Sequence, residues 1–210
     1  EVFGEGIFIG IDSGRIDQWE IALNSRIKEK TNSIADRFGN LEAGLQDSYG
    51  RVGFFPSLKF MLLHTLSHML MLRLQFHAGY STASIRERIY CDVPNAEDEK
   101  MSGILLFTSA GDVEGSMGGL ARMGHPDTLL PLLVEAIDAS ARCSQDPVCS
   151  ESRGQGLDAL NLAACHSCCL IPETSCSHRN QFLDRSLLTG DYMHPDDGFF
   201  SEVMKKRELV

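Results

Sequence analysis

Five of the seven cysteines crowd into one stretch of this sequence, Cys143, Cys149, Cys165, Cys168 and Cys169, with Cys176 close behind. Cys165-His166-Ser167-Cys168 is a C-x-x-C turn, which sets two thiolates on one tight knuckle, so that a second pair can complete a tetrahedron around zinc. The candidate ligands are Cys143, Cys149, Cys165, Cys168 and Cys176. Cys143 and Cys149 stand farther apart than an ordinary knuckle allows, so only one of the two is expected to join Cys165, Cys168 and Cys176. Neighbouring side chains diverge, which reads Cys169 as a packing residue, and His166 is a less favoured substitute for a thiolate. Four sulfur ligands leave no position for water, so such a site shapes the chain and does no chemistry. The competing reading is a redox pair at Cys165 and Cys168. Redox pairs of that type open a helix after a strand, whereas the flanks here are loop-like.

His64-Thr65-Leu66-Ser67-His68 offers a second possibility. Histidines four residues apart share a helix face and can chelate zinc, as in H-E-x-x-H hydrolases. Thr65 stands where the general-base glutamate would be, and no third ligand is evident. The pair therefore reads as core histidines satisfied by hydrogen bonds. Asp112 and Glu114, just before Gly115-Ser116-Met117-Gly118-Gly119, are the acids that a metal-dependent nuclease or hydrolase built on His64 and His68 would need. The glycines themselves carry no Gly-Lys-Ser/Thr phosphate loop and read as tight turning. Arg86-Glu87-Arg88 reads equally as a phosphate contact or as ion pairing on a strand face.

These side chains must be positioned by a small set of elements. Gly6 to Asp12 reads as a strand ending in a turn at Ser13-Gly14. Ile16 to Phe38 has the spacing of one amphipathic helix. Pro56 starts a helix that is apolar nearly all round to Phe76 and closes at Gly79, which places it centrally. Ser84 to Cys91 and Gly103 to Ser109 follow, the latter the clearest strand. A helix over Pro126 to Arg142 should turn Leu129, Leu130, Leu133, Ile137 and Ser140 or Ala141 inward, and Asn180 to Leu188 should form a closing helix. The stretches Gly39 to Gly53, Asp92 to Lys100 and Gly111 to Gly124 read as connections. Together these elements indicate an α/β or α+β fold with a mixed sheet, a long central helix and a cysteine-rich zinc knob. The expected divisions are an N-terminal strand, helix and linker over 1–55, the zinc-binding domain over 56–190 and a tail over 191–210.

Composition limits the partners. With 43% hydrophobic and 23% charged residues among 210, the chain can bury a sizeable core. A net charge of −10 repels phosphate backbones, so strong DNA binding by the chain alone is not expected. Lys205-Lys206-Arg207 reads as a solvated helix face. The run from Leu58 to Leu74 is too short and too polar to span a bilayer, so no membrane association is expected. An odd cysteine count without a signal pattern favours a reducing, cytoplasmic compartment. A start at Glu1 suggests an excerpt of a longer polypeptide.

The series Gly4-Glu5-Gly6-Ile7-Phe8, His64-Thr65-Leu66-Ser67-His68, Gly79-Tyr80, Arg86-Glu87-Arg88-Ile89-Tyr90, Gly103-Ile104-Leu105, Glu114 to Gly119, Cys165 to Cys168 and Pro172-Glu173-Thr174-Ser175-Cys176 resembles the MrfA-type zinc-binding (MZB) family. Asn180 and Leu183-Asp184-Arg185 continue the match. The family forms the C-terminal region of superfamily 2 repair helicases and of helicase-accessory proteins. Asp146-Pro147-Val148-Cys149 and Pro172 to Cys176 are most similar to the accessory proteins of the DISARM anti-phage defence system. The resemblance implies zinc as the cofactor, with Cys165, Cys168 and Cys176 on the family's cysteine positions. It implies no catalytic residues, a superfamily 2 helicase of the DrmA type as partner, and DNA contact mainly through that complex, in phage defence or repair.

Overall fold

The computed structural model of the chain describes residues 4–41, 56–79, 81–91, 101–108 and 119–208. The expected connections at 42–53, 92–100 and 111–118 lie outside the described residues, as do Asp112 and Glu114.

Three strands form an antiparallel sheet in the order β1-β3-β2, with β1 at Gly6–Gly10, β2 at Ile85–Cys91 and β3 at Ser102–Thr108. Of the two classes left open by sequence, the fold is α+β, and the described strands are all antiparallel rather than mixed. Register brings Ile7, Leu106 and Glu87 side by side across the sheet. All three are buried. That row faces the central helix, α3, which runs Leu58–Ala78. Ser57, not Pro56, caps its start by accepting from the Phe60 amide, and Gly79 ends it at φ 69°, a left-handed position that suits glycine. Met61, Leu62, Leu63, Leu66, Leu70 and Leu74 are each at most 1% exposed, as expected of a helix apolar on every side.

Two expected helices divide or shorten. Ile16 to Phe38 is α1 (Ser13–Ala22) and α2 (Ser25–Gly39). Leu23 is extended, and the Asn24 side chain caps a fresh start by accepting from the Arg26 amide. Asp12 likewise caps α1, so Ser13-Gly14 is a helix start and not a turn. The closing helix over Asn180 to Leu188 reduces to α6, Ser186–Thr189. Arg179, Asn180 and Phe182 hold positive φ, because the Asn180 amide bridges both backbone groups of Ile171 and its N–H donates to Cys176 Sγ. Local polar bonds outcompete helix formation there.

A short helix, α4 (Gly119–Met123), leads into α5 (Pro126–Ser140), which packs on α3. Of the expected inward set Leu129, Leu133, Ile137 and Ser140 do face the core, joined by Leu132 and Ala136, while Leu130 is 59% exposed, contrary to expectation. The last helix, α7 (Ser201–Glu208), is exposed along its basic residues, and Arg207 pairs with Asp138 of α5. Residues 191–200 return to the N-terminal helices: Trp19 donates to the Asp197 carbonyl at 2.9 Å and stacks edge-on against Phe199, and Arg26 pairs with Asp191 at 3.2 Å. The exchange of Leu130 for Leu132 on the inward face of α5 gives a simple expectation. In denaturant unfolding, Leu132→Ala should cost about 2–5 kcal/mol, whereas Leu130→Ala should change stability by no more than about 0.5 kcal/mol; equal costs would restore the original face.

Candidate metal centres

The structure brings Cys143, Cys149, Cys165 and Cys168 together, with ligand-capable atoms all within 4.8 Å of one another. Both upstream cysteines are in the cluster, and Cys176 is not. The reason lies in local turns. Gln145 O accepts from the Cys149 amide, and the Asp146 carboxylate accepts from the amides of Cys143 and Ser150. This compact turn closes the gap between Cys143 and Cys149 and aims both thiols the same way. On the other side, Cys165 O accepts from the amides of Cys168, Cys169 and Leu170, which is the knuckle foreseen from C-x-x-C. Cys169 points away into the core beside Met69, and His166 is exposed outside the cluster.

Sulfur spacing tests whether zinc fits. Zn–S bonds of about 2.3 Å in a tetrahedron give S···S edges of about 3.8 Å. The observed separations are 3.5 Å for Cys143–Cys165, 3.7 Å for Cys165–Cys168 and 3.8 Å for Cys149–Cys168. All described cysteines are free thiols, so these are not disulfides. Burial pushes the Cys143 thiol up to about 11 and the Cys149 thiol higher still. The adjoining Cys169 thiol, and then burial, raise Cys168. Cys165 alone moves down, because the Ser167 amide and the three other thiols outweigh its burial. Coordination to a divalent cation would remove the protons from all four thiols. Four thiolates around one divalent ion carry a net negative charge. Arg185, 3% exposed, lies in the field of Cys149 and Cys168 and is anchored to Asp146 and to the Ser140 carbonyl.

Cys176 belongs to a second cluster, His64, His68, Glu87 and Cys176, whose ligand-capable atoms also lie within 4.8 Å of one another and whose members are all buried. The loop carrying Cys176 pairs with β2, since Ser175 O accepts from the Glu87 amide and Ser177 Oγ donates to Glu87 O, and this draws the thiol under α3. His64 Nε2 stands 3.2 Å from Cys176 Sγ and 2.8 Å from Glu87 Oε1, and His68 Nε2 stands 3.3 Å from the same oxygen. Burial works against charge in all four. Even so, the Glu87 carboxylate and Cys176 hold His68 up at about 10, while His64 and His68 hold Glu87 well below the usual carboxylate range. Cys176 falls to about 7 beside His64.

Sequence reasoning found the histidine pair but missed Glu87 as its companion. The signal was present: Ile85 and Glu87 are buried while Arg86 and Arg88 are exposed, so strand alternation puts the acid on the core face and the arginines on the solvent face. Arg88 lies over the Tyr90 ring, 5.9 Å from its centroid.

Beside the sulfur cluster opens a cleft of about 1080 Å³ lined by Arg26, Lys30, Arg142, Arg153 and Arg185. Arg26 and Lys30 are committed to Asp191, and Arg185 to Asp146, so much of its positive charge is compensated.

Residues 66–169 match the family profile described as the MrfA Zn-binding domain. The chain is 39% identical over 189 residues, 90% of its length, to the DISARM protein DrmB of Bacillus paralicheniformis. It spans about a third of that relative's length, 32%. The family resemblance read from the residues is thereby borne out, and the matched span contains the whole sulfur cluster while leaving out His64 and Cys176.

The two clusters separate by mutation. Cys143→Ser, Cys149→Ser and Cys168→Ser should each abolish sulfur-only zinc coordination, read by X-ray absorption of the purified protein, whereas Cys176→Ser should leave it intact. Loss of the all-sulfur signal in Cys176→Ser, with retention in Cys143→Ser, would return Cys176 to the sulfur site.

Proposed function

The chain carries a MrfA-type zinc-binding domain, and from that premise we propose that it is a non-catalytic, zinc-stabilised accessory module of an anti-phage defence protein. Cys143, Cys149, Cys165 and Cys168 hold the zinc. The observation that carries this reading is the completeness of the sulfur set: four thiols at tetrahedral spacing leave a bound ion no position for water or substrate. Similarity to the DISARM protein DrmB supports the defence role. The partner is a superfamily 2 helicase, DrmA-like, and DNA is met mainly through that complex in the cytoplasm. A net charge of −10 and a cleft whose cations are largely paired both argue against strong DNA binding by the chain itself. No helix is long and apolar enough to cross a membrane.

A hydrolase using His64, His68, Asp112 and Glu114 is disfavoured by access. His64 and His68 are 0% exposed, so a scissile phosphate has no route to them. A redox switch at Cys165 and Cys168 is disfavoured by the company of Cys143 and Cys149, which makes a four-thiol cage rather than an isolated pair.

The test is to purify the full-length protein alone and with the helicase from its own host. Alone it should show no ATPase or nuclease turnover and weak DNA binding that fades steeply with salt. With the helicase it should form a stable complex that binds DNA more tightly and hydrolyses ATP. Nuclease turnover by the protein alone, lost in His64→Gln, would establish the hydrolase instead.

A further inference from the structure

The geometry points to a second metal site, in which His64, His68, Glu87 and Cys176 together bind a structural divalent zinc-class ion in the centre of the core. Histidine, carboxylate and thiolate in one set match the borderline character of zinc.

Hydrogen bonds account for only part of the arrangement, such as His64 Nε2 with Cys176 Sγ at 3.2 Å. His64 Nε2 and His68 Nε2 approach Glu87 Oε1 to 2.8 and 3.3 Å. Yet Glu87 Oε1 and His68 Nε2 remain buried without a hydrogen-bond partner among the described residues. Close approach without hydrogen-bond alignment is what results when lone pairs aim at a shared point between them. Buried polar atoms left in that state are costly, and a cation at the shared point would satisfy them.

The surroundings orient each ligand. His68 Nδ1–H donates to the Cys169 carbonyl at 2.9 Å, which turns Nε2 toward the cluster, where a metal would take the place of any proton it carries. Ser67 Oγ bonds Glu87 Oε2, leaving Oε1 as the single free carboxylate oxygen. Cys176 Sγ accepts from the amides of His178 at 3.3 Å and Asn180 at 3.2 Å, a pairing that favours the thiolate. Charge also balances. One carboxylate, one thiolate and two neutral imidazoles around a divalent cation sum to zero, the arrangement that full burial favours.

Size is compatible. Zinc at ordinary bond lengths spaces tetrahedral N···O pairs at about 3.4 Å and N···S pairs at about 3.6 Å, so ligands would move outward by roughly a few tenths of an ångström. With all four members sealed from solvent, the ion would be structural. It would tie α3, β2 and the Cys176 loop into one unit.

Elemental analysis and zinc X-ray absorption on the full-length protein decide the matter. Wild type should hold two zinc ions per chain, sharing five sulfurs and three nitrogen or oxygen ligands. Cys165→Ser should retain one ion of mixed coordination, and His68→Gln or Cys176→Ser one all-sulfur ion. A single all-sulfur zinc in wild type overturns the second site while leaving the sulfur centre in place. A single ion of mixed coordination does the reverse. Should the core variants fail to fold, the wild-type count and ligand average still give the answer.

Discussion

A helix with no solvent face must satisfy every polar group it carries inside the protein. From Leu58 to Met71, before Phe76 and His77 emerge into solvent, α3 is such a helix, and the consequence governs the core around it. Its Thr65 hydroxyl donates to Met61 O and accepts from the Asp184 amide, and Ser67 reaches Glu87. His64 and His68 have no water to turn to, since both are 0% exposed. Glu87 and Cys176 are brought to them by two separate elements, the strand β2 and the loop after Pro172. Charged groups so placed are tolerable only as a set, because removing one member leaves the rest unpaired in a medium of low polarity. The sheet, the helix and the cysteine loop are thus held in register by one electrostatic requirement as well as by packing.

The sulfur centre answers a different problem. Residues 143–168 include long irregular stretches, with little regular backbone pairing beyond the Gln155–Asn161 bridge. With so little backbone pairing, the segment gains a constraint from a tetrahedral ion that regular structure does not supply. Its surroundings are tuned to that ion. Gln155 reaches Cys149 Sγ and the Leu162 carbonyl, while Arg185 brings a buried positive charge near thiolates that repel one another. Asp146 holds the turn and the arginine at once, so the shape of the knob and its charge balance depend on the same carboxylate.

Much of this was legible in the sequence where one physical rule acted alone. The Leu58–Ala78 helix followed from a run that is apolar nearly all round, and the knuckle followed from C-x-x-C. What escaped was set by competition between rules. Asn24 and Asn180 broke expected helices because short polar side chains can bond the backbone better than a helix can. Leu130 and Leu132 lie two residues apart in a leucine-rich stretch, where periodicity cannot choose the face. The partition of the cysteines was hidden because spacing along the chain does not report which thiols face each other. Gln145, Asp146 and the pairing of Ser175 with Glu87 decide that, and none carries a cysteine motif.

The two centres also differ in when an ion can enter. Cys143 and Cys165 are 22 residues apart in sequence, whereas His64 and Cys176 are 112 apart. Loop-closure entropy grows only logarithmically, so the longer closure costs roughly 1.4 kcal/mol more. Length is therefore a minor distinction, and access is the major one. Cys143, Cys165 and Cys168 remain partly exposed, so the sulfur centre can load or lose zinc from the folded state. The ligands of the inner centre are sealed beneath α3, and an ion must be captured while β2 and the Cys176 loop are still closing over the helix. Metal supply during folding, and not metal supply to the finished protein, then sets the occupancy of the core.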